Sequence, residues 1–83
     1  MKELYLSSNI RVIKKGMVDS DIDYLFIPTS IKRIEDNAIN IKELKWETVN
    51  YLGTVEQWKS VKIGKNNSLL NINCTNGVAV EGI

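Results

Sequence analysis

Two stretches decide the architecture: Leu4-Tyr5-Leu6-Ser7-Ser8-Asn9-Ile10-Arg11-Val12-Ile13 and Leu25-Phe26-Ile27-Pro28-Thr29-Ser30-Ile31-Lys32-Arg33-Ile34. At an offset of 21 residues their apolar positions coincide at 4/25, 6/27, 10/31 and 13/34, and the same spacing carries Met17-Val18 onto Ala38-Ile39. A third passage follows at an offset of 24, where Trp46, Val49 and Tyr51 fall on Ile22, Leu25 and Ile27. The three extra residues lie within 40–45, a polar stretch that reads as a loop insertion. Self-similarity at a fixed period of this length is the signature of stacked repeats.

Each unit alternates with period two in Leu-x-Leu, Leu-x-Ile and Val-x-Tyr, which predicts a short strand with two residues inward and one outward. Pro28 has no N–H to extend a ladder, and Pro-Thr-Ser or Ser-Ser-Asn supplies turn chemistry. Ile10 and Ile13, or Ile31 and Ile34, then face the other side of a narrow core. No unit buries its apolar face alone, so neighbours must stack into a solenoid.

The closing segment reads as a lid on that stack. Thr54-Val55-Glu56-Gln57 fits a capping box, and a helix over about residues 55–61 places Val55, Trp58 and Val61 on one face. Ile72-Asn73-Cys74 reads as a further strand with Ile72 and Cys74 inward. Asn76-Gly77 is the dipeptide of a type I′ hairpin, returning Val78-Ala79-Val80 as an edge strand.

The pattern resembles the BspA-type leucine-rich repeat family. The resemblance rests on LFIPTSIKRIEDNAI (25–39), on VNYLGTVEQWKSVKIG (49–64) and on INCTNG (72–77), and it covers roughly residues 4–77. Val18 and Ile39 stand where the family has an aromatic, Met17 and Asn76 replace its usual Ala and Asp, and the linker before Val49 is longer. The expectation is a single domain, 1–83: an α/β, β-dominated leucine-rich-repeat-like solenoid with repeats at about 4–24, 25–48 and 49–53 and a C-terminal cap over 54–83. The resemblance also implies a surface for adhesion or recognition, formed by the outward strand positions.

Composition narrows the chemistry. With 83 residues the chain makes one domain at most, and 43% hydrophobic against 25% charged residues is globular in character. Histidine is absent and Cys74 is the single cysteine, so the commonest general base is missing and no internal disulfide or Cys-rich zinc site can form. The reading is therefore non-enzymatic, with no cofactor and no metal. A net charge of +1 is not the footprint of a nucleic-acid binder. Ile, Asn and Lys are abundant, as an AT-rich coding sequence produces, pointing to a low-GC bacterium, its phage, or a protist.

The outward positions Tyr5, Phe26, Asn50 and Asn73 form the expected partner-binding row, since aromatic residues are enriched at interfaces; cross-strand packing alone is the competing explanation. Trp46 and Trp58 sit at apolar-periodic positions and are expected in the core. Asp19, Asp21 and Asp23 lack the Gly and Glu that a calcium loop requires, Tyr24 and Ser30 standing there, and read as a solvated acidic turn. Lys59, Lys62 and Lys65 read as a solvated basic face. Gly53-Thr54 and Gly64-Lys65 do not have phosphate-loop spacing. Cys74 reads as a small buried hydrophobe.

The first strand follows closely on Met1 and nothing before it covers the stack. Leu4, Leu6, Ile10 and Ile13 are therefore expected along an outer edge that docks on a second copy or another protein. The expected partner is a protein, with no nucleic acid and no membrane. With no signal peptide or transmembrane segment in the sequence, the expected location is cytoplasmic, or the host cell for a phage product. Two alternatives stand beside an interaction module: a small intracellular, phage-encoded inhibitor of a host protein, and a structural homo-oligomer building block.

Overall fold

The computed structural model describes residues 2–20 and 22–80. The chain runs β1 (Glu3–Tyr5), β2 (Val12–Ile13), β3 (Val18–Ser20), β4 (Tyr24–Ile27), β5 (Arg33–Ile34), β6 (Ile39–Ile41), β7 (Val49–Tyr51), α1 (Val55–Lys59), β8 (Lys62–Ile63), β9 (Asn71–Cys74) and β10 (Gly77–Val80). The result is a small mixed α/β domain, mostly strand, with one short helix among the described residues.

Three sheets wall the interior: one in the order β1-β4-β7-β9-β10, one in the order β2-β5-β8, and the pair β3-β6. All pairings are parallel except the β9–β10 hairpin. Leu4 lies opposite Leu25, Leu25 opposite Val49 and Val49 opposite Ile72, so one inward row crosses the first sheet. Ile13, Ile34 and Ile63 form the equivalent row in the second sheet, and Val18 pairs with Ile39 in the third. Ile13, Val18, Leu25, Ile27, Ile31, Ile39 and Ile72 are completely buried. Branched aliphatic side chains suit this interior because they lose little rotamer freedom on a pleated surface.

The turns after β2, β5 and β8 solve one geometric problem alike. Gly16, Asn37 and Asn66 take the left-handed conformation, with φ of 73°, 57° and 60°, which glycine and asparagine tolerate best. Gly16 N–H donates to the Asn37 carbonyl and Asn37 N–H to that of Lys65, both at 2.9 Å, so the turns are bonded one to the next.

The capping box forms as expected: Thr54 Oγ1 accepts from Gln57 N–H at 3.1 Å and Gln57 Oε1 accepts from Thr54 N–H at 2.8 Å. The helix is shorter than the expected 55–61. It ends at Lys59 because Lys62 must be extended to pair with Arg33, so Val61 is buried from an extended segment. Trp58 is buried, with its ring edge-on to Tyr51 at a centroid distance of 5.1 Å.

The hairpin departs from the expected type I′ turn. Gly77 pairs with Cys74, so Thr75 and Asn76 form the loop, and Asn76 is not at positive φ. Asn76 is engaged elsewhere: its Oδ1 accepts from Val55 N–H at 2.9 Å and its Nδ2 donates to Glu56 at 3.1 Å, tying the hairpin to the start of α1.

Two further expectations are corrected. Trp46 is 70% exposed, not in the core. A tight turn, in which Thr48 Oγ1 accepts from Lys45 N–H at 2.9 Å and Thr48 N–H donates to the Lys45 carbonyl at 3.2 Å, swings it outward. Thr48 is buried and Leu44 packs against the core in its stead. Ile13 is 0% exposed because its side chain joins the core row with Ile34, so it cannot form an open edge; Leu4, Leu6 and Ile10 are half-buried against the same core. Of the acidic run, Asp21 lies outside the described residues.

Candidate functional site

The strand positions opposite the core build one row across the first sheet. Tyr5 lies opposite Phe26, Phe26 opposite Asn50, Asn50 opposite Asn73, and Asn73 opposite Val78. All four residues expected from the sequence are thus brought together, and Val78 extends the row beyond them. Neighbouring strands are about 4.8 Å apart, so the row spans about 19 Å from β1 to β10.

Its chemistry changes along its length. At one end the Tyr5 and Phe26 rings stack at 4.4 Å with only 6° between their planes, and Tyr24 lies 6.5 Å from Phe26 at 26°. Tyr5 is 63% exposed. Its hydroxyl donates to Glu3 Oε1 at 3.1 Å, and that hydrogen bond is the main reason its pKa is raised, since ionisation would set a phenolate against a carboxylate. Mid-row, the amides are committed to the backbone: Asn50 Nδ2 donates to the Glu47 carbonyl at 3.0 Å and Asn73 Nδ2 to the Trp46 carbonyl at 2.8 Å. They hold the turn that carries Trp46 against the sheet. At the far end, Val78 and Val80 are exposed.

Charged residues rim the aromatic end. A shallow cleft is lined by Asp23, Tyr24, Lys45 and Glu47, and a second beside it by Ile22, Asp23, Lys42, Glu43, Lys45 and Thr48. Lys45 Nζ lies 3.3 Å from Glu43 Oε1, and that hydrogen-bonded carboxylate holds the ammonium pKa above its ordinary value. Asp23 accepts from Lys2 N–H at 2.9 Å.

Cys74 is half-buried, and desolvation raises its thiol pKa. Among the described residues no group of three or more acidic, cysteine or histidine side chains is placed to hold a metal ion.

Sequence reasoning missed Tyr24 and Trp46 as surface residues. Tyr24 was legible, since it precedes inward Leu25 and strand alternation turns it outward. The sign for Trp46 was the Thr two residues after it, whose hydroxyl favours a local turn over continuation of the strand.

No family model, curated protein or solved structure matches the chain.

Proposed function

We propose that the chain is a non-catalytic protein-interaction module, a leucine-rich-repeat-like solenoid closed by α1 and the β9–β10 hairpin, which grips a protein partner on the outer face of its first sheet. The parallel pairing of residues 21 and 24 apart supports the repeat reading, and the BspA-type pattern of the sequence agrees with it. The single observation that carries the binding proposal is the solvent-facing stack of Tyr5 on Phe26. Stacked aromatics inside a charged rim are the makings of an interface hot spot, which an excluded-water border strengthens. The fit is to a partner with an apolar anchor at its centre and polar groups at its margin. No helix among the described residues is long and apolar enough to cross a membrane.

The test is a double substitution, Tyr5→Ala with Phe26→Ala. A partner captured by the unaltered protein is expected to bind at least about 30-fold more weakly, as loss of two hot-spot residues implies. Circular dichroism should be unchanged, because neither ring belongs to the core. Undiminished capture would dismiss this face.

A homo-oligomer is the second reading, and the half-buried Leu4, Leu6 and Ile10 favour it. It would join copies end to end through these residues, and Ile10→Asp would then abolish association where the aromatic double variant does not.

A further inference from the structure

The second sheet gathers charge that the net value conceals. Residues 11–15, 32–36 and 59–65 contain eight lysines and arginines against two acidic residues, leaving three basic and eight acidic residues to the rest of the chain. Those three segments converge on β2, β5 and β8. Val12, Arg33 and Lys62 stand in register, Lys32 N–H donates to the Arg11 carbonyl at 2.7 Å, and Lys62 N–H donates to the Lys32 carbonyl at 3.1 Å. Arg11, Lys32, Arg33 and Lys62 are therefore side by side, and all are exposed. Lys14, Lys15 and Lys65 continue the basic surface into the turns that follow.

The two carboxylates are already in use. Glu35 accepts from Lys15 N–H at 3.0 Å and from Arg33 Nη2 at 3.2 Å, while Asp36 accepts from Lys65 N–H at 2.6 Å. Lys59 ends α1 and lines a cleft with Val78 and Val80 instead, so a surplus of about five positive charges remains over the three strands and the residues flanking them, about 10 Å across at ordinary strand spacing. Duplex nucleic acid carries one phosphate per about 1.7 Å of axis, hence about six over the same 10 Å. An extended acidic peptide, at about 3.3 Å per residue, supplies half that density.

We infer that this face binds the phosphate backbone of double-stranded nucleic acid without reading its sequence. No exposed large apolar side chain among the described residues lies in the three segments, so the face lacks the anchors that a protein partner or a bilayer would use. It also lacks exposed aromatic platforms for stacking single-stranded bases. Lysine, a compact hydrated charge, suits diffuse phosphate contact.

The experiment is fluorescence anisotropy with a labelled duplex of about 20 base pairs, between about 50 and 200 mM salt. With about five phosphates neutralised, the affinity is expected to fall on the order of 500-fold across that range. Two duplexes of unrelated sequence should bind alike. Lys32→Glu with Lys62→Glu should weaken binding at least about tenfold at the lower salt, and Lys32→Gln with Lys62→Gln should flatten the salt slope by about two. Lys2→Glu, away from this face, should change neither. Absence of binding at about 50 mM salt, or an affinity unmoved by the Lys32 and Lys62 substitutions, would overturn the inference. So would tighter binding to a polyglutamate peptide or to phosphatidylserine vesicles than to the duplex.

Discussion

Asn67 does four things at once. Its Oδ1 accepts from Ala38 N–H at 2.9 Å and Ile39 N–H at 2.8 Å, while its Nδ2 donates to the Glu35 and Gly64 carbonyls at 3.0 Å each. One amide thus satisfies backbone groups from the start of β6, the end of β5 and the end of β8, where the strands are too short to pair every N–H and C=O themselves. Leaving such groups unpaired costs about 1–3 kcal/mol apiece when they are sheltered from water. Asn67→Ala is therefore expected to destabilise the fold by about 2–4 kcal/mol, read from urea denaturation; Asn67→Asp, which keeps the acceptor and loses the donors, should fall between. Nothing in the sequence marks Asn67 out from Asn66 beside it, which is exposed and sets a turn. The difference lies in which of the two points inward, and only tertiary pairing decides that.

At the scale of elements, close stacking of β8 on β5 depends on Gly64. A Cβ there would lie 2.5 Å from Asp36 N and 2.7 Å from the Glu35 carbonyl carbon, backbone atoms that cannot swing aside, and would collide with Asp36 Oδ1 as well. Gly64→Ala is expected to cost more than about 2 kcal/mol by overpacking and to expose Trp58, seen as a red shift in its fluorescence relative to a Trp46→Phe background. The strands of the first sheet were readable because alternation and offset act together on Leu4, Leu25 and Val49. The helix start was readable because the Thr54–Gln57 box is local. Its end was not, since Lys62 obeys a partner strand almost 30 residues away. For the candidate site, Tyr5, Phe26, Asn50 and Asn73 followed from register alone, whereas Trp46 broke from the periodic pattern because a threonine side chain outbid the strand for the local backbone. The basic face escaped composition altogether, since a sum over the chain cannot tell one side of it from another.

For the whole molecule, each strand of the first sheet is bonded only to its neighbours, and the order β1-β4-β7-β9-β10 leaves β1 and β10 flanked on one side. Protection from solvent deuterium should then grade inward from both margins. Amides of Leu25–Ile27 and Val49–Tyr51 are expected to exchange last and those of Glu3–Tyr5 and Val78–Val80 first, measured by two-dimensional NMR after dilution into heavy water. Uniform rates across all five strands would mean that the domain opens only as a unit. A graded profile has a practical corollary: a proteolytic nick or a misplaced charge at either margin erodes the domain one strand at a time, and β4 and β7 are the last to go.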